Sequence, residues 1–103
     1  MAKFALKADP TFVAAVAFPV AGGDSVDVKI TFKHRTKTAL EDFIEKRDGR
    51  NDADMFMDMC AGWDLDDEFS RANVETLLEN RMGVAVAVYR AYIDELVKHR
   101  AKN

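Results

Sequence analysis

The sequence predicts an α+β fold, in which an N-terminal β-hairpin is followed by three or four packed α-helices. Residues 26–33 alternate between apolar and polar side chains, which is the two-residue period of a strand with one solvent-facing side. From about residue 38 onward, apolar residues recur at three- and four-residue spacing, which is typical of amphipathic helices. Because the strands come first and the helices follow, the pattern favours an α+β arrangement over alternating βαβ units.

Length and composition indicate a single folded domain over residues 1–103. Hydrophobic residues make up 49% of the chain and charged residues 32%, a balance that favours a packed core over disorder. The net charge is −3, so no nucleic acid is expected as a partner, because phosphate binding requires a basic surface. No apolar run approaches the ~20 residues of a membrane-spanning helix, so no membrane partner is expected either. The lone Cys60 excludes an internal disulfide and fits a reducing compartment.

The predicted hairpin covers about residues 11–33. Its first strand is the apolar run that ends at Val20, and the glycines of the segment AGGDS supply the turn. Pro19 has no backbone N–H to donate, so it marks a strand end or a sheet edge. Since an isolated hairpin is only marginally stable in water, it must pack against the helices.

The same apolar run also has features of a secretory signal, because Lys3 and Lys7 precede it and small residues follow it. Asp9 and Pro10 interrupt this basic flank, however, and cleavage would leave the second strand without its partner. The strand is therefore the favoured interpretation.

Four helices are predicted after the hairpin, over about residues 38–48, 52–61, 71–81 and 84–100. Thr38 and Glu41 have the spacing of a capping box, Asp52 is the candidate cap of the second helix, and Ser70 is that of the third. Glycines mark the expected ends of the first three helices: Gly49, Gly62 and Gly83. The last helix ends in a basic cluster that suits the negative end of a helix dipole: Lys98, His99, Arg100 and Lys102.

The segment GWDLDDEFS, residues 62–70, is the strongest candidate for a metal site. Counted from Asp64, acidic or hydroxyl residues occupy most ligand positions of a calcium-binding loop, but the position that requires glycine holds Phe69. The alternative is a solvated acidic turn before a helix capped by Ser70, with Trp63 buried as a core plug and Phe69 packed beside the cap. We favour this second interpretation, so no metal and no cofactor are expected.

No catalytic group emerges from the remaining candidates. Cys60 lies in a stripe of methionine and phenylalanine, where a free cysteine acts as a small apolar side chain, and no local motif places His34 or His99 beside it. The basic cluster KHRTK, residues 33–37, is interpreted as a solvated turn, with contact to phosphate or to an acidic partner as the alternative. Phosphate-binding, metalloprotease and nucleophile-elbow motifs are absent, so the chain is not expected to be an enzyme.

Three segments carry a resemblance to a known protein family: VKITFKHRTKTALEDFIEK, AGWDLDDEFSRANVETLL and VAVAVYRAYIDEL. The chain resembles the small tail assembly chaperones of long-tailed, siphovirus-type bacteriophages. The most specific part of the match is formed by Gly62, Trp63, Asp64, Phe69, Ser70 and Asn73. Two features depart from the family pattern: Arg71 stands where an acidic residue is common, and the segment RMGVAV lacks the expected proline before the last helix.

The resemblance implies a non-catalytic function in virion assembly. Chaperones of this family act in the host cytoplasm and are absent from the finished virion. They bind the tape measure protein, a long helical chain with apolar surface, before tail tube subunits polymerise around it. They tend to self-associate, and in many phages a frameshifted, longer form carries an extra domain to which recruitment of the tube protein is attributed.

The distribution of methionine and aromatic residues predicts where a client protein binds. Apolar side chains surround the second helix on more than one side, methionine adapts to varied partners, and a groove between helices suits a helical client. The predicted partner-binding residues are Met55, Phe56, Met57, Met59, Tyr89 and Tyr92. Replacing Phe56 and Met57 by aspartate is expected to abolish co-purification with the tape measure protein while the domain stays folded.

Two other functions stay open at this point. A virion component, such as a head–tail connector or a minor tail protein, is also small, acidic and rich in hairpins. A small regulatory or antitoxin-like module that binds proteins is the third alternative. The presence of the chain in purified virions would distinguish a structural component from an assembly chaperone.

Overall fold

The structure, a computed structural model, describes residues 4–97. Its elements in chain order are β1 (Thr11–Phe18), β2 (Val26–Lys33), α1 (Lys37–Glu45), α2 (Asp52–Met59), β3 (Cys60–Trp63), α3 (Arg71–Asn80) and α4 (Val84–Val97). The α+β fold class, with an N-terminal hairpin followed by helices, is confirmed. Lys3, the predicted last turn of the final helix at 98–100, and the basic cluster around it lie outside the described residues.

The three strands form one antiparallel sheet in the order β1-β2-β3. Strands β1 and β2 pair along their full lengths, from Thr11 opposite Lys33 to Phe18 opposite Val26. The inward side chains of β2 follow the predicted alternation, because Val28, Ile30 and Phe32 are buried and Lys29 between the first two faces solvent. The sheet therefore presents one apolar face to the helices.

Strand β3 was not predicted from the sequence. The apolar spacing around Met59 and Cys60 favours a helix that continues to residue 61 and ends at Gly62, but the backbone turns extended at Cys60 (φ −117°, ψ 145°). Residues 60–63 then pair with β2 across a register shift between Thr31 and Phe32. Hydrogen bonding to the open side of β2 outweighs the local preference for helix, so Gly62 lies within a strand and ends no helix.

Two of the three predicted helix caps are shifted by one or two residues. The hydroxyl of Thr36, rather than Thr38, accepts a hydrogen bond from the Ala39 N–H at 3.2 Å, and α1 starts at residue 37. The side chain of Asn51, rather than Asp52, accepts from the Asp54 N–H at 2.8 Å. Both observed caps, Thr36 and Asn51, have the extended backbone that a cap requires.

The cap at Ser70 is confirmed, because its hydroxyl accepts from the Asn73 N–H at 3.2 Å at the start of α3. The first helix ends at residue 45, earlier than the predicted 48. Gly49 lies in the following turn with a φ of 81°, a left-handed conformation that favours glycine.

The core lies between the inner face of the sheet and the four helices. The Tyr92 ring is its centre, with ring centroids 5.3 Å from Phe32 and 5.9 Å from Phe43. The largest fully buried side chains are Tyr92, Phe32, Phe56, Ile30, Met59, Val74, Val84, Val88 and Cys60. Within residues 4–97, no helix combines the length and apolar character needed to cross a membrane.

Candidate partner-binding site

An open groove of about 570 Å³ lies between α2, α4 and the turn that joins α1 to α2. Its apolar wall and floor come from the two helices, and its charged rim comes mainly from the turn. The lining residues are Arg47, Asp48, Gly49, Arg50, Asp52, Met55, Phe56, Met59, Ala85, Val86, Tyr89 and Arg90. The groove is therefore an amphipathic surface rather than an enclosed cavity.

The floor of the groove is built by one stripe of α2. Met55, Phe56 and Met59 share a face of that helix because they are spaced one, three and four residues apart. Their side chains are at most 7% exposed, so they shape the bottom of the groove while supporting the core. On the opposite wall, Val86 of α4 is 54% exposed and offers the most accessible apolar surface of the site.

The rim carries three arginines and two aspartates. The Arg47 guanidinium lies 4.7 Å from the centroid of the Tyr89 ring, which holds this charge over the groove wall. Arg50 donates to the Asp58 carboxylate at 2.9 Å, which ties the turn to α2. Arg90 is exposed on α4. A partner would therefore meet apolar side chains at the centre and charges of both signs around them, with Arg47 and Arg90 beside the apolar wall.

Sequence reasoning missed these rim arginines. Gly49 signals a turn at this place, but the side of the molecule that the turn faces depends on how α1 and α4 pack. No local pattern in the sequence contains that information.

Four of the six predicted partner-binding residues meet at this groove: Met55, Phe56, Met59 and Tyr89. Tyr89 is half-buried, and the three α2 residues are buried. Met57 is half-buried but does not line the groove, because it lies on a different face of α2. Tyr92 is fully buried and presents no surface to a partner.

The burial of Phe56, at 1% exposure, changes the expected effect of the Phe56→Asp and Met57→Asp pair. A carboxylate in place of Phe56 would leave a charge in the apolar core, so this variant is expected to unfold the chain. Loss of binding in it would carry no information about the groove, and exposed wall residues are the appropriate targets.

The basic cluster at residues 33–37 is not a simple solvated turn. Arg35 is half-buried; its guanidinium donates to the Asp58 carbonyl at 3.0 Å and to the Tyr92 hydroxyl at 2.9 Å, and lies 4.2 Å from the centroid of the Phe43 ring. The Tyr92 hydroxyl in turn donates to the Lys33 carbonyl at 2.7 Å. Burial raises the pKa of Tyr92, and the hydrogen bond from Arg35 acts in the opposite direction. Arg35 therefore joins the end of β2 to α1, α2 and α4.

The acidic segment after β3 acts as scaffolding. The half-buried Trp63 donates from its indole N–H to the Asp67 carbonyl at 2.7 Å and packs edge-on against Phe69, with ring centroids 5.0 Å apart. The Asp64 carboxylate accepts from the Lys29 N–H at 3.0 Å and so extends the pairing of β2. Within residues 4–97, no three His, Cys, Asp or Glu side chains are grouped to hold a metal ion. Asp64 is thus used at a strand end and the Asp67 carbonyl in the turn.

A family model described as phage tail assembly chaperone matches residues 1–103, the whole chain. The chain belongs to the phage tail assembly chaperone family. No curated protein and no solved structure gives a significant match. Family membership indicates a role in phage tail assembly with protein partners, and a chaperone family suggests a non-enzymatic role.

In this tail assembly chaperone, Arg71 has a structural role that accounts for a basic residue at its position. Its guanidinium pairs with Asp54 of α2 at 2.7 Å and with Glu75 one turn further along α3 at 3.0 Å. Because all three side chains are well exposed, the pairs orient α3 against α2 more than they stabilise the fold.

The chaperone's single cysteine lies in the core. Cys60 is 1% exposed, and burial raises the pKa of its thiol to about 12, opposed in part by the Lys33 ammonium group. A thiol with this pKa is protonated near neutral pH, whereas a nucleophilic cysteine requires the thiolate. The environment of Cys60 is thus that of an apolar packing residue.

Proposed function

We propose that this tail assembly chaperone binds the phage tape measure protein through the groove between α2 and α4, without catalysing a reaction. It acts in the host cytoplasm before tail tube subunits polymerise around the tape measure protein, and it is absent from the mature virion. It self-associates, and tail tube protein is a second candidate partner.

The observation that carries the proposal is the apolar groove lined by two helices. A long helical client with apolar surface needs a complementary apolar groove, and an amphipathic helix docks in one through side chains spaced three and four residues apart. Val86 and Tyr89 on one wall, three residues apart in α4, form an accessible strip with that spacing. The methionines on the floor can adapt to client segments of different shape.

The rim suggests which part of the client is bound. Arg47 and Arg90 flank the apolar wall, so a client helix with acidic residues beside its apolar stripe would fit better than a basic one. This charge pattern favours a defined segment of the tape measure protein over indiscriminate contact with any apolar helix.

The test is co-expression of the chain with the tape measure protein, with soluble complex measured after affinity capture of the chaperone. Val86→Asp places a charge on the exposed groove wall, and Val26→Asp is the matched control, because both valines are 54% exposed and Val26 lies outside the groove. We expect the Val86 variant to bind at least ~10-fold more weakly, a loss of about 1.4 kcal/mol, and the control to bind like the original chain.

Circular dichroism and thermal unfolding of both variants establish that each is folded before binding is compared. Equal capture of tape measure protein by the two variants would exclude the groove as the binding site. A tape measure protein that stays insoluble with the unmodified chaperone would contradict the proposed client itself.

A further inference from the structure

The outer edge of β1 is an unpaired strand edge. All eight residues of β1 pair with β2 on one side, and β1 is the terminal strand of the sheet. On its other side, no strand of residues 4–97 is paired with it. Among the described residues, no backbone hydrogen bond joins this edge to another strand.

The hydrogen-bond pattern shows which residues face this edge. The His34 N–H donates to the Pro10 carbonyl at 2.8 Å, so even-numbered positions of this strand bond to β2. Lys29, opposite Ala15, instead exchanges hydrogen bonds with Asp64 on the β3 side of β2. Since antiparallel pairs alternate, the N–H and C=O groups of Thr11, Val13, Ala15 and Ala17 point to the free edge.

The two edges of the sheet differ in how they are protected. Strand β3 has only four residues, begins next to a register shift, and is followed by Asp64, whose carboxylate occupies the next donor on β2. These are features with which proteins protect strand edges from further pairing. Strand β1 has eight residues and no charged side chain, and its flanking prolines, Pro10 and Pro19, lie outside it.

The side chains beside the free edge leave room for another strand. Val13 is 62% exposed, and Ala15 and Ala17 are exposed and small. On the core side, Phe12 and Ala14 are only half-buried. An added strand would cover apolar surface on both faces of β1.

We propose that β1 pairs antiparallel with β1 of a second copy of this chain, so that the two sheets become one continuous six-stranded sheet. A two-fold axis at Ala14 places Val13 opposite Ala15 of the second copy and Thr11 opposite Ala17. The outward groups of both strands then form about eight hydrogen bonds, because each hydrogen-bonded antiparallel pair exchanges two.

A second copy is the occupant that this edge fits. In a two-fold symmetric antiparallel pair, the same residues of β1 face the interface from both copies. Because β1 has no charged side chain, the two strands meet without like-charge repulsion. The inference deepens the proposed self-association and rests on that part of the proposed function. It is independent of tape measure binding at the groove.

The test compares the oligomeric state of three variants. Ala15→Pro removes an N–H that points to the free edge, so the pairing of β1 with β2 keeps its hydrogen bonds. Val13→Lys adds a charge beside the edge, as natural edge strands do. Val26→Lys is the matched control, because Val26 is similarly exposed but lies on the central strand. Mass is measured by sedimentation velocity across protein concentrations, and amide hydrogen exchange is followed by NMR.

We expect the unmodified chain and the Val26 variant to dimerise, with the Val13 and Ala15 amides protected at high concentration. The Ala15 and Val13 variants should each raise the dimer dissociation constant at least ~10-fold. If Ala15→Pro misfolds by circular dichroism, Val13→Lys decides.

A dimer unaffected by either edge variant would overturn the β1 interface while leaving self-association intact, and a chain that is monomeric at every concentration would overturn both. If these amides become protected only after tape measure protein is added, the edge binds a client strand, and the proposed pairing with a second copy is wrong.

Discussion

The hydroxyl of Tyr92 is a single small group whose removal should have a large and measurable effect on stability. It donates to the Lys33 carbonyl at 2.7 Å and accepts from Arg35 at 2.9 Å, and its side chain is fully buried. A neutral hydrogen bond contributes ~0.5–1.5 kcal/mol and one to a charged group ~1.5–3 kcal/mol. Tyr92→Phe is therefore expected to lower the free energy of unfolding by about 2–4.5 kcal/mol, because the ring keeps its packing and only the hydroxyl is lost.

Urea denaturation followed by circular dichroism measures this loss. In a domain of this size, 1 kcal/mol corresponds to roughly 4–8 °C in Tm, so thermal unfolding should show the same change. Tyr89→Phe is the matched control: Tyr89 is half-buried, and its hydroxyl has no hydrogen-bond partner within residues 4–97, so a change within about 0.5 kcal/mol is expected. Equal stability losses in the two variants would refute the role assigned to the Tyr92 network.

Two further predictions concern Cys60 and Gly83. The Cys60 thiol should react with a thiol reagent at pH 8 at least ~100-fold more slowly in the native chain than in urea, because only a small fraction is thiolate. Burial raises the pKa of this thiol from 9.0 to about 12 in the folded state. The protonated thiol therefore contributes its full stabilisation below pH 9. This stabilisation falls as the pH rises from 9 to 12, by up to about 1.4 kcal/mol per pH unit. Cys60→Ala should lose less stability over that interval in urea titrations, and parallel pH profiles would contradict this. Gly83→Ala should destabilise the chain by about 1–3 kcal/mol, because the new Cβ would lie 2.6 Å from the Pro19 Cγ. Gly62→Ala is the control, since its new Cβ meets nothing closer than 4.0 Å. Equal thermal stability of the two variants would show that the loop around Pro19 moves aside without loss of stability.

The sequence carried the information for features that depend on neighbouring residues. The alternation of residues 26–33 predicted a strand with Val28 and Ile30 inward, and Ser70 with the apolar residues after it predicted the start of α3. The strand is recognised from the two-residue period of its side chains, and the helix start from a side chain that bonds to the backbone N–H three residues later. Both signals lie within a short stretch of sequence.

Features that depend on distant residues were not predictable in this way. Strand β3 exists because β2 offers an open edge to residues 60–63, although their spacing favours a helix. The same limit applies to the candidate site: its α2 and α4 residues follow helical spacing, but Arg47 comes from a turn whose position is set by packing. Tyr92 shows the same limit from the other side: it is fully buried, and the apolar spacing of α4 does not distinguish a core residue from a groove residue one turn away.

The hydrogen bond between Arg35 and Tyr92 joins parts of the chain that are far apart in sequence. Arg35 and Tyr92 are 57 positions apart, so their contact forms only after α4 has docked on the sheet, whereas the β-hairpin closes through local pairing. Contacts of such long range are expected to form late, after the folding transition state. Loss of this hydrogen bond should then accelerate unfolding and leave the refolding rate nearly unchanged, so the docking of α4 on the sheet contributes to the lifetime of the native chaperone.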